Sequence, residues 1–139
     1  TLLNLQTGMR MVTNNSRGTA YRIFANQTIP VFGKTGTASV GNENVDPHAW
    51  FIGYTNTGRT DKPDIAIAVI VENVGDGSEF AAPMFRRVME TYFFGKPQSR
   101  YPWETQIGVL NPKYFLSEEE LLILEELEGN LENEGEGGN

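Results

Sequence analysis

Residues 30–40 read PVFGKTGTASV, a lysine between two glycines followed by hydroxyl, glycine and hydroxyl, and the fold turns on how this stretch is read. Gly33-Lys34-Thr35 also ends a phosphate-binding loop. That motif requires glycine five residues before Gly33, where this chain has Thr28, and a helix afterwards, where GTASV favours strand. As a strand, the segment points Lys34 to one side and Thr35 and Thr37 to the other, while Gly36 leaves the backbone bare. The result is a cationic, hydroxyl-lined edge. It suits an extended peptide ending in a carboxylate: main-chain groups pair with the peptide, and hydroxyls with a nearby positive charge take the carboxylate.

Working outward, residues 31–40, 48–56 and 65–73 are rich in β-branched and aromatic side chains and are separated by turn clusters at 41–47 and 57–64. Connections of this length predict an antiparallel meander. Leu2, Leu5, Met9 and Val12 recur at helical spacing, so residues 2–14 are expected to be a helix, stopped by Asn14-Asn15-Ser16-Arg17-Gly18 through a left-handed residue. A short irregular or helical stretch leads to Pro30. After the strands comes EFAAPMFRRVMETYFFG, residues 79–95. It is expected to pack on the sheet through Phe80, Met84, Phe85, Val88, Met89 and Tyr92, with Pro83 in the first turn and Gly95 as the stop.

The fold class expected is therefore α+β, an antiparallel sheet flanked by helices, and the domain is expected to be incomplete. IAIAVIV, residues 65–71, is apolar at every position, the pattern of a strand covered on both faces, yet a three-stranded meander leaves it at an edge. Its second neighbour is expected to lie elsewhere.

Hydrophobic residues make up 39% of the 139-residue chain, a local deficit that comes from residues 116–139, mostly Leu, Glu, Asn and Gly. There is no cysteine, so a disulfide framework and a thiolate zinc site are excluded. No apolar run approaches the roughly 20 residues of a spanning helix, and a first residue Thr1 in place of Met suggests a cut N-terminus. Residues 1–103 carry ten Lys/Arg and eight Asp/Glu, a net of +2; residues 104–139 carry one Lys and ten Glu, a net of −9. Neither half offers a basic stripe, so a nucleic acid partner is not expected. Ser117-Glu118-Glu119-Glu120 has the form of a capping box opening an acidic helix through Leu121, Leu122, Leu124 and Leu127, and residues beyond Gly129 are expected to be disordered.

GKTGTA resembles the Lys-Thr-Gly motif of penicillin-binding proteins and serine β-lactamases, which use it with an upstream Ser-x-x-Lys and a Ser-x-Asn. SRGTAYRIF before it, and HAWFIGYTN and AAPMFRRVMETYF after it, resemble the end of a bacterial transpeptidase domain, most closely the class B, elongation-type enzymes. The resemblance covers residues 1 to about 94. It implies the last three strands and last helix of that fold, with the strand of residues 65–71 pairing with a first strand far upstream. Residues 1–95 would then be the C-terminal part of the transpeptidase domain, 96–116 a Pro-containing connector, and 117–139 an acidic helix and disordered tail.

By the same resemblance, Lys34 would tune proton transfer around a serine and attract the substrate carboxylate, and Thr35, Gly36 and Thr37 would form the substrate-binding edge. The Thr37 N–H would supply half of an oxyanion hole. The chain departs from the family pattern at the nucleophile. Ser16, Ser39, Ser78, Ser99 and Ser117 are followed three residues later by Thr19, Asn42, Ala81, Pro102 and Glu120, so there is no Ser-x-x-Lys, and no serine opens a Ser-x-Asn. The implied function is penicillin binding and peptidoglycan D,D-transpeptidation in a larger protein, on the extracytoplasmic face of the bacterial membrane, with this chain inactive alone. Its partners would be the peptidoglycan stem peptide, β-lactams, and the missing N-terminal part of the domain or a second copy through strand 65–71. Two alternatives stay open: a non-catalytic interaction fragment, and part of a β-lactamase or β-lactam sensor.

Other candidates have plainer readings. No cofactor or metal is expected, since the glutamates of 118–128 lack the ligand spacing of a calcium loop. The single histidine, His48, is assigned a structural or rim role, Trp50, Phe51 and Tyr54 core and sheet packing, Asp61 and Asp64 turn formation, and Arg86-Arg87 the solvated face of the last helix.

Overall fold

The computed structural model describes residues 1–39, 41, 44–101, 119, 122 and 123. Two compact units divide the chain, Thr1–Gly95 and Lys96–Asn139. In the second, Glu119, Leu122 and Ile123 are helical; the remainder of the expected acidic helix, the tail and most of the connector lie outside the described residues.

The first unit runs α1 (Leu2–Asn14), α2 (Tyr21–Phe24), β1 (Val31–Ala38), β2 (His48–Thr55), β3 (Ala66–Val71) and α3 (Ala81–Phe94). The three strands form an antiparallel meander in the order β1-β2-β3. The register places Gly33 opposite Gly53, Thr35 opposite Phe51, Thr37 opposite Ala49, and Phe51 opposite Val69. Alternation thus sorts Val31, Gly33, Thr35, Ala49, Phe51, Ile67 and Val69 onto one face, and Phe32, Lys34, Gly36, Trp50, Ile52, Ala68 and Ile70 onto the other.

The first face carries the core. Val31, Ala49 and Phe51 meet Ala81, Ala82, Phe85 and Met89 of α3, all 0% exposed, with Phe24 and Ile29 closing one side. Phe51 stacks on Phe24 with centroids 5.5 Å apart and meets Phe85 edge-on at 4.9 Å. The Gly33–Gly53 pair makes room for this cluster, since a Cβ on Gly33 would stand 2.2 Å from Phe51 Cζ. Each buried Val, Ile, Phe or Met side chain of this cluster contributes about 1.5–3 kcal/mol.

The second face is only partly covered. Arg10 of α1 lies 5.5 Å over the Phe32 ring, which stacks on Tyr54 at 5.0 Å, and Met9 borders Ile52, Tyr54 and Ala66. Beyond them Trp50 (37%), Ile52 (47%) and Ile70 (44%) are exposed. The sequence reading of β3 as covered on both faces does not hold within this chain: Ile67, Val69 and Val71 pack and Ala66, Ala68 and Ile70 do not. The stripe on α1 is likewise open at its start, with Leu2 and Leu5 exposed, while Val12 packs against the core.

Four local expectations need correction. The residue closing α1 is Asn15 in an extended conformation, not a left-handed one, and its Oδ1 accepts from Arg17 N at 2.9 Å, an alternative turn that amide side chains provide. Strand β1 ends at Ala38; β3 ends at Val71, because the chain turns off at Asn73, whose φ is +57°. Val88 lies on the outer side of α3, 49% exposed. Arg86 is not on the solvated face: its side chain is 12% exposed and its Nε donates to Glu90 Oε1 at 2.6 Å, which also accepts from Gln27 Nε2 at 2.5 Å. Glu90 is 1% exposed, and Arg86 also donates to Ile23 O, so this polar group ties α3 to the segment before β1. Pro83 sits in the first turn of α3 and Gly95 closes it at φ +79°, as the sequence suggested.

Candidate functional site

Lys34, Thr35, Gly36 and Thr37 occupy the middle of β1, an edge strand of this sheet. In an antiparallel strand the N–H and C=O of one residue point to the same side, and successive residues alternate. Val31 O accepts from Thr13 Oγ1 at 2.6 Å and from Arg10 at 3.1 Å, and Thr35 O accepts from Lys34 Nζ at 2.5 Å, whereas Pro30 O accepts from Asn56 N on the β2 side. Residues 31, 33, 35 and 37 therefore turn their backbone polar groups to the outer edge. The Thr35 and Thr37 N–H groups face away from β2, where an incoming chain can meet them.

Lys34 and Thr37 are exposed, and Thr35 and Gly36 half-buried. The Lys34 side chain leaves the strand on the face opposite Thr35 and folds over to Thr35 O at 2.5 Å, bringing its charge to the outer edge. Thr35 Oγ1 is 2.8 Å from Thr19 Oγ1. Lys34 also borders a shallow cavity of about 340 Å³ with Arg17, Thr19 and the end of α1. A Cβ on Gly36 would approach Trp50 Cβ at 3.2 Å, so that glycine also leaves room for the tryptophan across the ladder.

Behind this edge lies the segment between β3 and α3. Gly77 packs directly on the β1–β2 seam, where a Cβ would stand 2.3 Å from Trp50 O and 2.4 Å from Gly36 O. Gly77 O accepts from Ala82 N at 2.9 Å, which joins the start of α3 to the back of the site strand. Ser78 N and Oγ donate to Asp76, and these bonds hold its carboxyl below the usual range. His48 Nδ1 accepts from Asn73 N at 3.1 Å, and Pro47 O accepts from Val74 N and Gly75 N, so the histidine serves to tether this loop. Asp64 is a turn former, accepting from Thr57 N, Thr55 Oγ1 and Thr57 Oγ1, and Asp61 pairs with Arg59. Among the described residues no His, Asp and Glu cluster could hold a metal, and no helix is long and apolar enough to cross a membrane.

Sequence reasoning gave Thr19 and Gly77 no role. Thr19 lies in the SRGTAYRIF stretch, but its contact with Thr35 spans 16 residues and is set by the turn after α1. Gly77 sits in a Gly- and Asp-rich loop whose composition signals a turn and not a packing contact.

Residues 1–90 match the penicillin-binding protein transpeptidase domain family, and the chain belongs to it. Among curated relatives, the chain is 37% identical over 98 residues to peptidoglycan D,D-transpeptidase MrdA of Haemophilus influenzae, covering 61% of this chain and 15% of that protein. It is 37% identical over 76 residues to peptidoglycan D,D-transpeptidase PbpA of Mycobacterium tuberculosis, covering 50% and 15%. The crystal structure of Pseudomonas aeruginosa PBP2 in complex with WCK 5153 superposes with a TM-score of 0.53 at 32% identity, over 82% of this chain and 20% of that one. The chain thus spans about 15% of the length of the curated relatives it matches. An α+β unit with a three-stranded sheet, a partly covered apolar face and an open strand edge is a partial transpeptidase-like domain.

Proposed function

We propose that this chain supplies the substrate-binding wall of a serine-type D-Ala-D-Ala transpeptidase in a larger protein, and not its nucleophile. The edge strand Lys34–Thr37 carries the reading, with two outward N–H groups, a hydroxyl at Thr35 and a lysine folded to the same edge. An extended stem peptide pairs with the outward backbone, and its terminal carboxylate is held by the Thr35 and Thr37 hydroxyls and the Lys34 charge. The Thr37 N–H contributes to an oxyanion hole, and Lys34 assists proton transfer at a serine contributed from outside this chain. A penicillin mimics the peptide at the same edge.

Residues 1–95 are then the C-terminal part of the transpeptidase domain of a class B, elongation-type enzyme, acting on peptidoglycan at the extracytoplasmic face of the membrane, with β3 completing its pairing against an upstream strand. Without Ser-x-x-Lys the chain alone forms no acyl-enzyme. In the complete domain, Lys34→Ala lowers the rate of acylation by penicillin by at least about two orders of magnitude, the scale of a lost electrostatic stabiliser. Wild-type acylation in that variant removes Lys34 from the site.

A further inference from the structure

A threonine hydroxyl has one proton and two acceptor lone pairs. In the proposed function the Thr35 hydroxyl must donate that proton to a substrate carboxylate, yet its oxygen also lies 2.8 Å from Thr19 Oγ1, and one of the two must donate in that contact. If Thr35 donates to Thr19, its only proton is directed into the protein, and only lone pairs face the anion. We propose that Thr19 is a positioning residue: it donates to Thr35 Oγ1 and leaves the Thr35 proton directed along the strand edge to the carboxylate. The inference rests on the proposed function of this edge and adds the group that sets the direction of its hydrogen bond.

The turn bearing Thr19 is built to hold that hydroxyl in place. Gly18 N donates to Asn15 O at 2.7 Å, Ala20 N to Val12 O at 3.1 Å, and Tyr21 N to Gly18 O at 3.1 Å. Gly18 is pressed against the end of α1, where a Cβ would stand 2.4 Å from both Met11 O and Val12 O. Ala20 is fully buried in the core cluster. Thr19 is thus fixed from both sides while itself exposed, so its hydroxyl does little for packing. A bound carboxylate strengthens the arrangement, because a hydroxyl donating to an anion becomes a better acceptor for the next hydroxyl.

The test uses the complete domain carrying Thr19→Val, Thr19→Ser, Thr35→Val or Thr19→Val with Thr35→Val, and measures acylation rates with a penicillin and with its neutral ester. Thermal unfolding of each variant confirms folding. Thr19→Val is expected to slow the carboxylate probe about three- to tenfold, the worth of one net hydrogen bond, and to leave the ester rate unchanged. Thr19→Ser restores the rate, and the double variant is no slower than Thr35→Val alone. A loss in Thr35→Val with none in Thr19→Val overturns the inference and leaves the proposed function standing, as does a Thr19→Val loss equal on both probes or additive with Thr35→Val. Wild-type rates in Thr35→Val overturn both.

Discussion

Replacing Gly77 by alanine should act on the site from behind, through the backbone of Gly36 and Trp50 and not through any side chain that meets substrate. The new Cβ would stand 2.3 Å from Trp50 O and 2.4 Å from Gly36 O. A relaxed carbon–oxygen contact needs about 3.3 Å, so roughly 1 Å of separation must be found. Both oxygens belong to the paired backbone of β1 and β2 and cannot rotate aside as a side chain would. Either the loop lifts off the seam, weakening the bond between Gly77 O and Ala82 N that anchors the start of α3, or β1 moves and carries Thr35 and Thr37 with it. Overpacking of this kind costs about 1–3 kcal/mol. A displacement of about 1 Å at a catalytic edge costs up to about a hundredfold in rate. In the complete domain, Gly77→Ala should therefore lower both the unfolding temperature and the acylation rate, the latter by about ten- to a hundredfold. Gly8→Ala is the control: nothing lies within 4 Å of its Cβ, and removing a glycine from the interior of α1 should be neutral or stabilise by about 0.5–1 kcal/mol. Wild-type melting and acylation in Gly77→Ala would refute the argument that this loop braces the site strand.

Glu90→Ala leaves Arg86 and Gln27 without their shared carboxylate in a nearly closed environment and should destabilise the first unit by about 3–5 kcal/mol, read from denaturant unfolding; a change below about 1 kcal/mol would show that the group is solvated. The loop between β2 and β3 should respond to acid. Hydrogen bonds from Thr57 N and from the Thr55 and Thr57 hydroxyls hold the Asp64 carboxyl below its ordinary 3.8, and the Arg59 hydrogen bond lowers Asp61 to about 2. Because folding depresses both values, their contribution is fully present above the unfolded value near 3.8 and is lost as the pH falls through the folded ones. The Thr57 amide resonance should follow that loss, and a midpoint at or above 3.8 would contradict the sign.

Much of this architecture was legible in the sequence because local pattern and tertiary structure agree. Alternation placed β1 and β2 within two residues of their bounds, and the Gly95 stop and first-turn Pro83 of α3 follow from backbone chemistry that no packing overrides. The exposed strand edge at Lys34–Thr37 was readable for the same reason. What escaped depends on contacts distant in sequence. Arg86 and Glu90 stand four apart on α3 and could have been paired by spacing, but their burial comes from Gln27 and Ile23, 63 residues away. Thr19 reaches Thr35 only because the turn after α1 folds back, and Gly77 matters only through its approach to the β1–β2 seam. The two-sided apolar pattern of residues 65–71 was legible as a pattern, yet this chain covers one side of β3 only.

Covalent labelling separates a wall of a transpeptidase site, which lacks the nucleophile, from a chain that acylates itself. The isolated 139-residue chain and a polypeptide carrying the Ser-x-x-Lys portion of the domain are each incubated with a fluorescent penicillin, separately and combined, then resolved under denaturing conditions. No adduct is expected on this chain in any mixture, and the adduct on the serine-bearing polypeptide is expected to rise when the two are combined. Specific labelling of the 139-residue chain by itself would contradict it.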